Sequence, residues 1–327
     1  MSVKSVIAAA TGTALLLMGI APTVAAEPRP LPIIVHAGKS DGLYHALAVQ
    51  FAEAMAKGDD TLTPVVEESQ GSVQNIIDAP LRGPNFVFTA PPSLIAQARR
   101  GDKPFTRNPR YRDIRSLFPL PPMVMHWLVR RDSGIDGFVG LAGHPFVPGG
   151  KGSFGERQTV SALHVLGLET TVQLIDIDTN GASAALLGNQ VVGIALAGNY
   201  PLPAVTELAR AAPMRLLSLS RSELAQVLAA DDSTVRQVIP KGTYPGIDDD
   251  VTTIALPAGA YTTARMSEAT AYAVTKAFWS QKIDLGQRNP PWDAVTPATL
   301  SALGVKLHPG ALRYYREARI PVPKALQ

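Results

Sequence analysis

Between Leu31 and Met55 the chain changes its hydrophobic period. Ile33, Ile34 and Val35 form a short continuous apolar run, as in a strand buried on both faces. A polar, glycine-bearing turn follows at Gly38-Lys39-Ser40-Asp41-Gly42, and then Leu43, Leu47, Phe51 and Met55 recur at every fourth position. That spacing puts one apolar stripe along a helix, with Ser40 or Asp41 placed to cap its first turn. The pattern repeats twice. A strand over Leu62–Val66 leads through Gln70-Gly71-Ser72 into a helix carrying Val73, Ile76 and Ile77. A strand over Asn85–Thr89 leads through Pro91-Pro92-Ser93 into a helix that runs to Arg100 and stops at Gly101. Proline suits a helix start, where its missing N–H costs nothing. A strand followed by a small turn and a helix, three times over, predicts βαβ crossovers and a parallel sheet.

The periodicity then lapses. Residues 102–115 form a loop carrying Lys103, Arg107, Arg110, Arg112 and Arg115, read as a solvated connector. Leu117 to Val129 is hydrophobic but broken by Pro119, Pro121 and Pro122, and reads as a connection into a second block. There the alternation resumes. Phe146-Val147 precedes a glycine-rich turn at 148–153 and a helix with Val160, Leu163 and Leu166 inward, ended by Gly167. Strands follow at Val172–Ile177, Val191–Leu196 and Arg215–Leu219, with helices at Ala182–Leu187, after Pro201, and at Ser222–Ala230. Pro240 to Asp250 reads as a second connector, Val251–Ala260 as a strand, and the tail from Ser267 as helical, with a last helix after His308-Pro309-Gly310. The chain thus leaves its first block and later returns to it, and helix starts from both blocks face a cleft.

Composition narrows the setting. Lys4 followed by the apolar run Val6–Ile20 and by Val24-Ala25-Ala26 has the layout of a cleaved export signal over residues 1–26. Removing it leaves 301 of the 327 residues, enough for two domains at ~100–200 residues each. Cysteine is absent, which excludes disulfides, thiolate zinc sites and a cysteine nucleophile. The formal charge of +3 falls to +2 without Lys4, too little to argue for nucleic acid. The six histidines at 36, 45, 126, 144, 164 and 308 lack the paired helical spacing of a metal site. Asp248-Asp249-Asp250 reads as a solvated turn. No cofactor or metal is expected.

Two chemical readings attach to the first turn. Gly38-Lys39-Ser40-Asp41-Gly42 fits G-x-S-x-G between a strand and a helix, the setting of a hydrolase nucleophile elbow with Ser40 as nucleophile. It stands on the first strand, however, with no earlier turn to build an oxyanion hole. The same residues end like a phosphate loop, but Ile33 occupies the position of the required glycine. The recurring turns support binding instead. Ser40, Ser72, Thr89 and Ser153 offer hydroxyls at helix starts, where free N–H groups attract anions. Arg157 lies one turn into its helix, placed to reach a carboxylate. Lys39, Tyr44, Gln70, Asn199 and Tyr200 complete the candidate ligand-binding set.

Several segments resemble the TAXI subfamily of substrate-binding proteins that serve tripartite ATP-independent periplasmic (TRAP) transporters. They are Gly42-Leu43-Tyr44, Gln70-Gly71-Ser72-Val73-Gln74-Asn75, residues 128–135, Gly198-Asn199-Tyr200-Pro201, residues 239–246 and residues 307–311. The resemblance implies a two-lobed α/β periplasmic-binding-protein fold of type II character. It implies lobe I from 27–125 plus 255–327 and lobe II from 126–254. It further implies a periplasmic monomer, not an enzyme, that takes a small organic anion (a dicarboxylate, 2-oxo acid or acidic amino acid) to a membrane-embedded TRAP permease. A binding subunit of a sensor is the variant reading. The first turn departs from the family's glycine- and threonine-rich loop, so Lys39 and Asp41, with Phe154 in the second block, are the positions expected to set selectivity.

Overall fold

The computed structural model describes residues 30–40, 42–177 and 179–327. The signal-peptide reading and Asp41 lie outside the described residues. The chain runs β1 (Leu31–His36), α1 (Leu43–Gly58), β2 (Leu62–Glu67), α2 (Ser72–Asp78), β3 (Phe86–Ala90) and α3 (Pro92–Arg100). It continues through β4 (Ile114–Arg130), β5 (Pro145–Val147), α4 (Phe154–Val165), β6 (Gln173–Leu174), α5 (Thr179–Leu187) and β7 (Gly193–Gly198). Then come α6 (Pro203–Ala211), β8 (Met214–Leu216), α7 (Arg221–Ala230), β9 (Val235–Ile239), β10 (Val251–Thr263), α8 (Glu268–Ser280), α9 (Lys282–Arg288) and α10 (Pro309–Glu317).

The strands are ordered β2-β1-β3-β10-β4-β7-β5-β6, with β8 on β4 and β9 on β10. The β1–β2, β1–β3, β5–β6 and β5–β7 pairs are parallel, as the strand–helix alternation predicts. The long strands β4 and β10 run antiparallel to each other and belong to both lobes. One core gathers residues up to Leu120 and from Ala258 onward, around Phe51, Phe118 and Phe278. Two further clusters gather residues between Val124 and Ala255. These two clusters are the opposite faces of one sheet. Along β4, Val124 and Leu128 enter one cluster while Met125, Trp127 and Val129 enter the other, the alternation a strand imposes.

The proline-broken stretch is therefore not a loose connection but the middle of a 17-residue strand. Burial on both faces accounts for its continuous hydrophobicity, and its prolines fall where pairing can spare them. Pro119 lies opposite Gly259 and Leu120 opposite Ala258, after which β4 pairs again only from Met123 opposite Leu256, with a register shift between Leu256 and Ala258. Pro121, Pro122 and Pro257 thus sit together at the passage between lobes. Proline donates nothing to a ladder, so the two crossing strands are least tied there.

Residues 240–250 do not cross between lobes, because Tyr244 and Ile247 are buried in the second lobe; the return passage lies within β10. Strand β9 was not apparent from the sequence, and the strand expected over 172–177 shrinks to Gln173–Leu174. At the far end His308 caps α10, accepting from the Gly310 N–H at 3.2 Å. A Cβ at Gly310 would lie 2.1 Å from the Glu268 carbonyl, so only glycine lets α10 approach α8 this closely.

Candidate functional site

In the first lobe the carboxyl ends of β2, β1 and β3 feed adjacent turns that the chain sews together. The Ser69 N–H donates to the Gly38 carbonyl at 3.1 Å. Asn75, fully buried on α2, donates from Nδ2 to the carbonyls of Ala37 and Thr89, each at 3.0 Å. This side chain fixes the end of β1 against the end of β3. The N-caps of α1, α2 and α3 are Gly42, Gly71 and Pro91, none of which has a capping group to offer. Instead of capping α1, Ser40 donates from its N–H (2.9 Å) and its hydroxyl (3.2 Å) to the Glu68 carboxylate. Those bonds, with Lys39 and His45 nearby, hold the Glu68 carboxyl below the usual range. The hydroxyl's partner here is a carboxylate, where the nucleophile reading expects an imidazole.

The same region collects buried polar atoms without hydrogen-bond partners. Among the described residues these are His36 Nδ1, Tyr44 Oη, His45 Nδ1, Asn75 Oδ1 and Gln158 Oε1. All but the last belong to β1, α1 or α2. Burial also pushes the Tyr44 phenol far up, which keeps it protonated. Unsatisfied buried groups are few in native proteins, and a cluster of them calls for an explanation.

The sequence candidates divide by what their side chains do. Lys39, Ser40 and Gln70 are exposed at the first-lobe turns, and Ser72 opens α2. Thr89 is buried, its hydroxyl donating to the Ala37 carbonyl at 3.3 Å. Ser153 caps α4 by accepting the Glu156 N–H at 3.1 Å. Arg157 is exposed and turns back to the Gly152 carbonyl at 2.7 Å, while Phe154 packs partly buried against the second-lobe core. Gly149, at φ +123°, brings its loop so close to α4 that a Cβ would meet the Glu156 nitrogen at 2.7 Å. Asn199, buried, donates to the Pro122 carbonyl at 2.6 Å, and Tyr200 accepts from Gln237 Nε2 at 3.1 Å. Several of these polar groups thus serve as internal ties.

A cavity of about 490 Å³ lies between the lobes. Leu43 and Gln50 of α1 form one wall, residues of the 197–203 segment the opposite wall, and residues 288–291 close one side. Leu43 packs on the first-lobe core and Leu202 on the second. Smaller cavities of about 300 and 270 Å³ lie beside Pro257.

The second wall is set by a relay no sequence motif announced. His126, buried on β4, donates from Nδ1 to the Val124 carbonyl at 3.0 Å, which leaves Nε2 to accept the Tyr244 hydroxyl at 2.8 Å. The Tyr244 oxygen in turn accepts the Leu202 N–H at 2.8 Å. Burial lowers the His126 pKa to about 4, keeping the ring neutral. The relay fixes the start of α6 at the cavity, and its members are too far apart in sequence to be paired by spacing.

Two solved structures share this architecture. A TctC solute-binding protein from Polaromonas superposes with TM-score 0.52 at 16% identity, over 90% of this chain and 96% of that one. MatC from Rhodopseudomonas palustris, with malate bound, gives TM-score 0.50 at 13% identity, over 89% of this chain and 99% of that one. At such identities the likeness establishes the fold, the two-lobed one of periplasmic solute-binding proteins. The sequence pattern of the NMT1-like family matches residues 35–318, from the end of β1 through α10, and the chain belongs to that family.

Proposed function

We propose that this protein is a periplasmic solute-binding protein that captures a small organic acid and releases it to a membrane permease. One observation carries the reading. Two α/β lobes are joined by a single antiparallel strand pair whose passage is marked by Pro121, Pro122 and Pro257, with a solute-sized cavity between them. In such a molecule, closure about the hinge is driven by a ligand that contacts both walls, because only differential affinity shifts the open–closed equilibrium. The acid's carboxylate sits at the first-lobe turns, where the starts of α1 and α3 direct backbone N–H groups toward it. Ser40, Ser72, Gln70, Lys39 and Tyr44 are the proposed first-lobe contacts, and Arg157, Ser153 and Tyr200 those reached on closure.

The TAXI-like segments favour a TRAP-type permease as the partner. Among the described residues no helix is long and apolar enough to cross a membrane. Thermal-shift screening of the purified protein tests the reading, with succinate, malate, 2-oxoglutarate, glutamate and monocarboxylates in the panel. A true ligand stabilises by RT ln(1 + [L]/Kd), about 2.7 kcal/mol at a hundredfold excess over Kd. A panel in which no acid raises Tm refutes it.

A further inference from the structure

The proposed function leaves open what the rest of the acid looks like. We infer that the solute is a monocarboxylate with an apolar body, and that this body occupies the cavity beside α1. The inference rests on the solute-binding reading for the carboxylate and on the cavity itself for the remainder. Leu43, Pro201, Leu202, Pro203, Pro290 and Pro291 line the space, so most of its wall is hydrocarbon. At about 490 Å³ it lies within the ~300–1,000 Å³ typical of pockets that enclose drug-sized molecules.

Of the four polar side chains that line the cavity, all but Asn289 already have a partner. Gln50 Oε1 accepts the Trp292 indole N–H at 2.7 Å, and Asn199 Nδ2 donates to the Pro122 carbonyl at 2.6 Å. The Arg288 guanidinium donates to Asp284 at 2.9 Å. A second carboxylate carried into this cavity is stripped of water beside groups that already have partners, a costly exchange. An alkyl or aryl group entering it gains from leaving water.

The test is a homologous series. Acetate, butanoate and hexanoate, with succinate and malate as diacids, are titrated by calorimetry at fixed salt. Kd falls roughly fourfold per methylene, about 250-fold over the four methylenes from acetate to hexanoate. Leu43→Asp, which puts a charged group on the apolar wall at a helix N-terminus, abolishes that gain. If circular dichroism shows Leu43→Asp to be unfolded, Pro290→Asp on the exposed rim is read in its place, with the same loss expected. Acids that bind with no chain-length dependence, or diacids that bind more tightly than hexanoate, overturn the inference and leave the solute-binding reading standing. A series in which nothing binds overturns both.

Discussion

The His126–Tyr244–Leu202 relay makes the stability of the second lobe dependent on pH in a direction that can be worked out. His126 is neutral in the fold with a pKa of about 4, against ~6.5 for a free histidine. Between those values the unfolded chain binds a proton that the folded chain does not. The contribution is therefore complete above about pH 6.5 and is lost as the pH falls toward 4. Two-state linkage with these values gives a loss of about 2 kcal/mol at pH ~5, approaching about 3 kcal/mol below pH ~4. Protonation at Nε2 also removes the acceptor of the Tyr244 hydroxyl, whose oxygen holds the Leu202 N–H at the cavity wall. His126→Phe removes the titrating group. It costs about 1–3 kcal/mol near pH ~8, where the ring is neutral in both states, because Tyr244 loses its partner, and it flattens the acid limb. Urea unfolding of both proteins at about pH 8, 6 and 5 measures this. The wild-type advantage should shrink by about 2 kcal/mol between pH ~8 and ~5. His308, whose pKa burial also lowers, is present in both proteins and cancels. A stability difference that stays constant over this range refutes the neutral, buried assignment of His126.

Three further outcomes are expected. Arg157→Ala weakens binding of the acid that scores best in the screen by about 1.5–3 kcal/mol, the worth of a charged hydrogen bond; unchanged affinity in calorimetry removes Arg157 from the closed site. Glu68→Gln frees the Ser40 donors from a carboxylate, so sulfate shifts the Ser40 amide resonance at lower concentration than in the wild type. Equal titration curves show that Glu68 does not compete for that turn. Gly310→Ala forces a methyl against the Glu268 carbonyl and the Tyr272 nitrogen and destabilises by about 1–3 kcal/mol, read as a lower urea midpoint at unchanged m-value.

The chain itself determined its elements and their order. Hydrophobic period is local, so the stripe Leu43–Leu47–Phe51–Met55 and the apolar run at 33–35 are visible without knowing what they pack on. Helix stops at Gly101 and Gly167, both at positive φ, are local in the same way. The strand–helix rhythm then fixed the parallel pairs β1–β2, β1–β3, β5–β6 and β5–β7, whereas the antiparallel pairing of β3 with β10 and of β4 with β7 and β8 makes the sheet mixed. What tertiary structure alone decided is what each polar side chain does. Ser40 and Glu68 are 28 positions apart, and His126 and Tyr244 are 118 apart; no spacing rule joins such pairs, because the sheet topology brings them together. The proline-rich stretch at 117–129 misled for a related reason. Proline is read locally as an interruption, but opposite Gly259 and the shifted register at Pro257 it becomes part of a strand that the missing N–H weakens only at the passage between lobes. The apolar lining of the cavity was equally hidden, since Leu43, Leu202 and Pro291 meet only when two lobes from distant parts of the chain face each other.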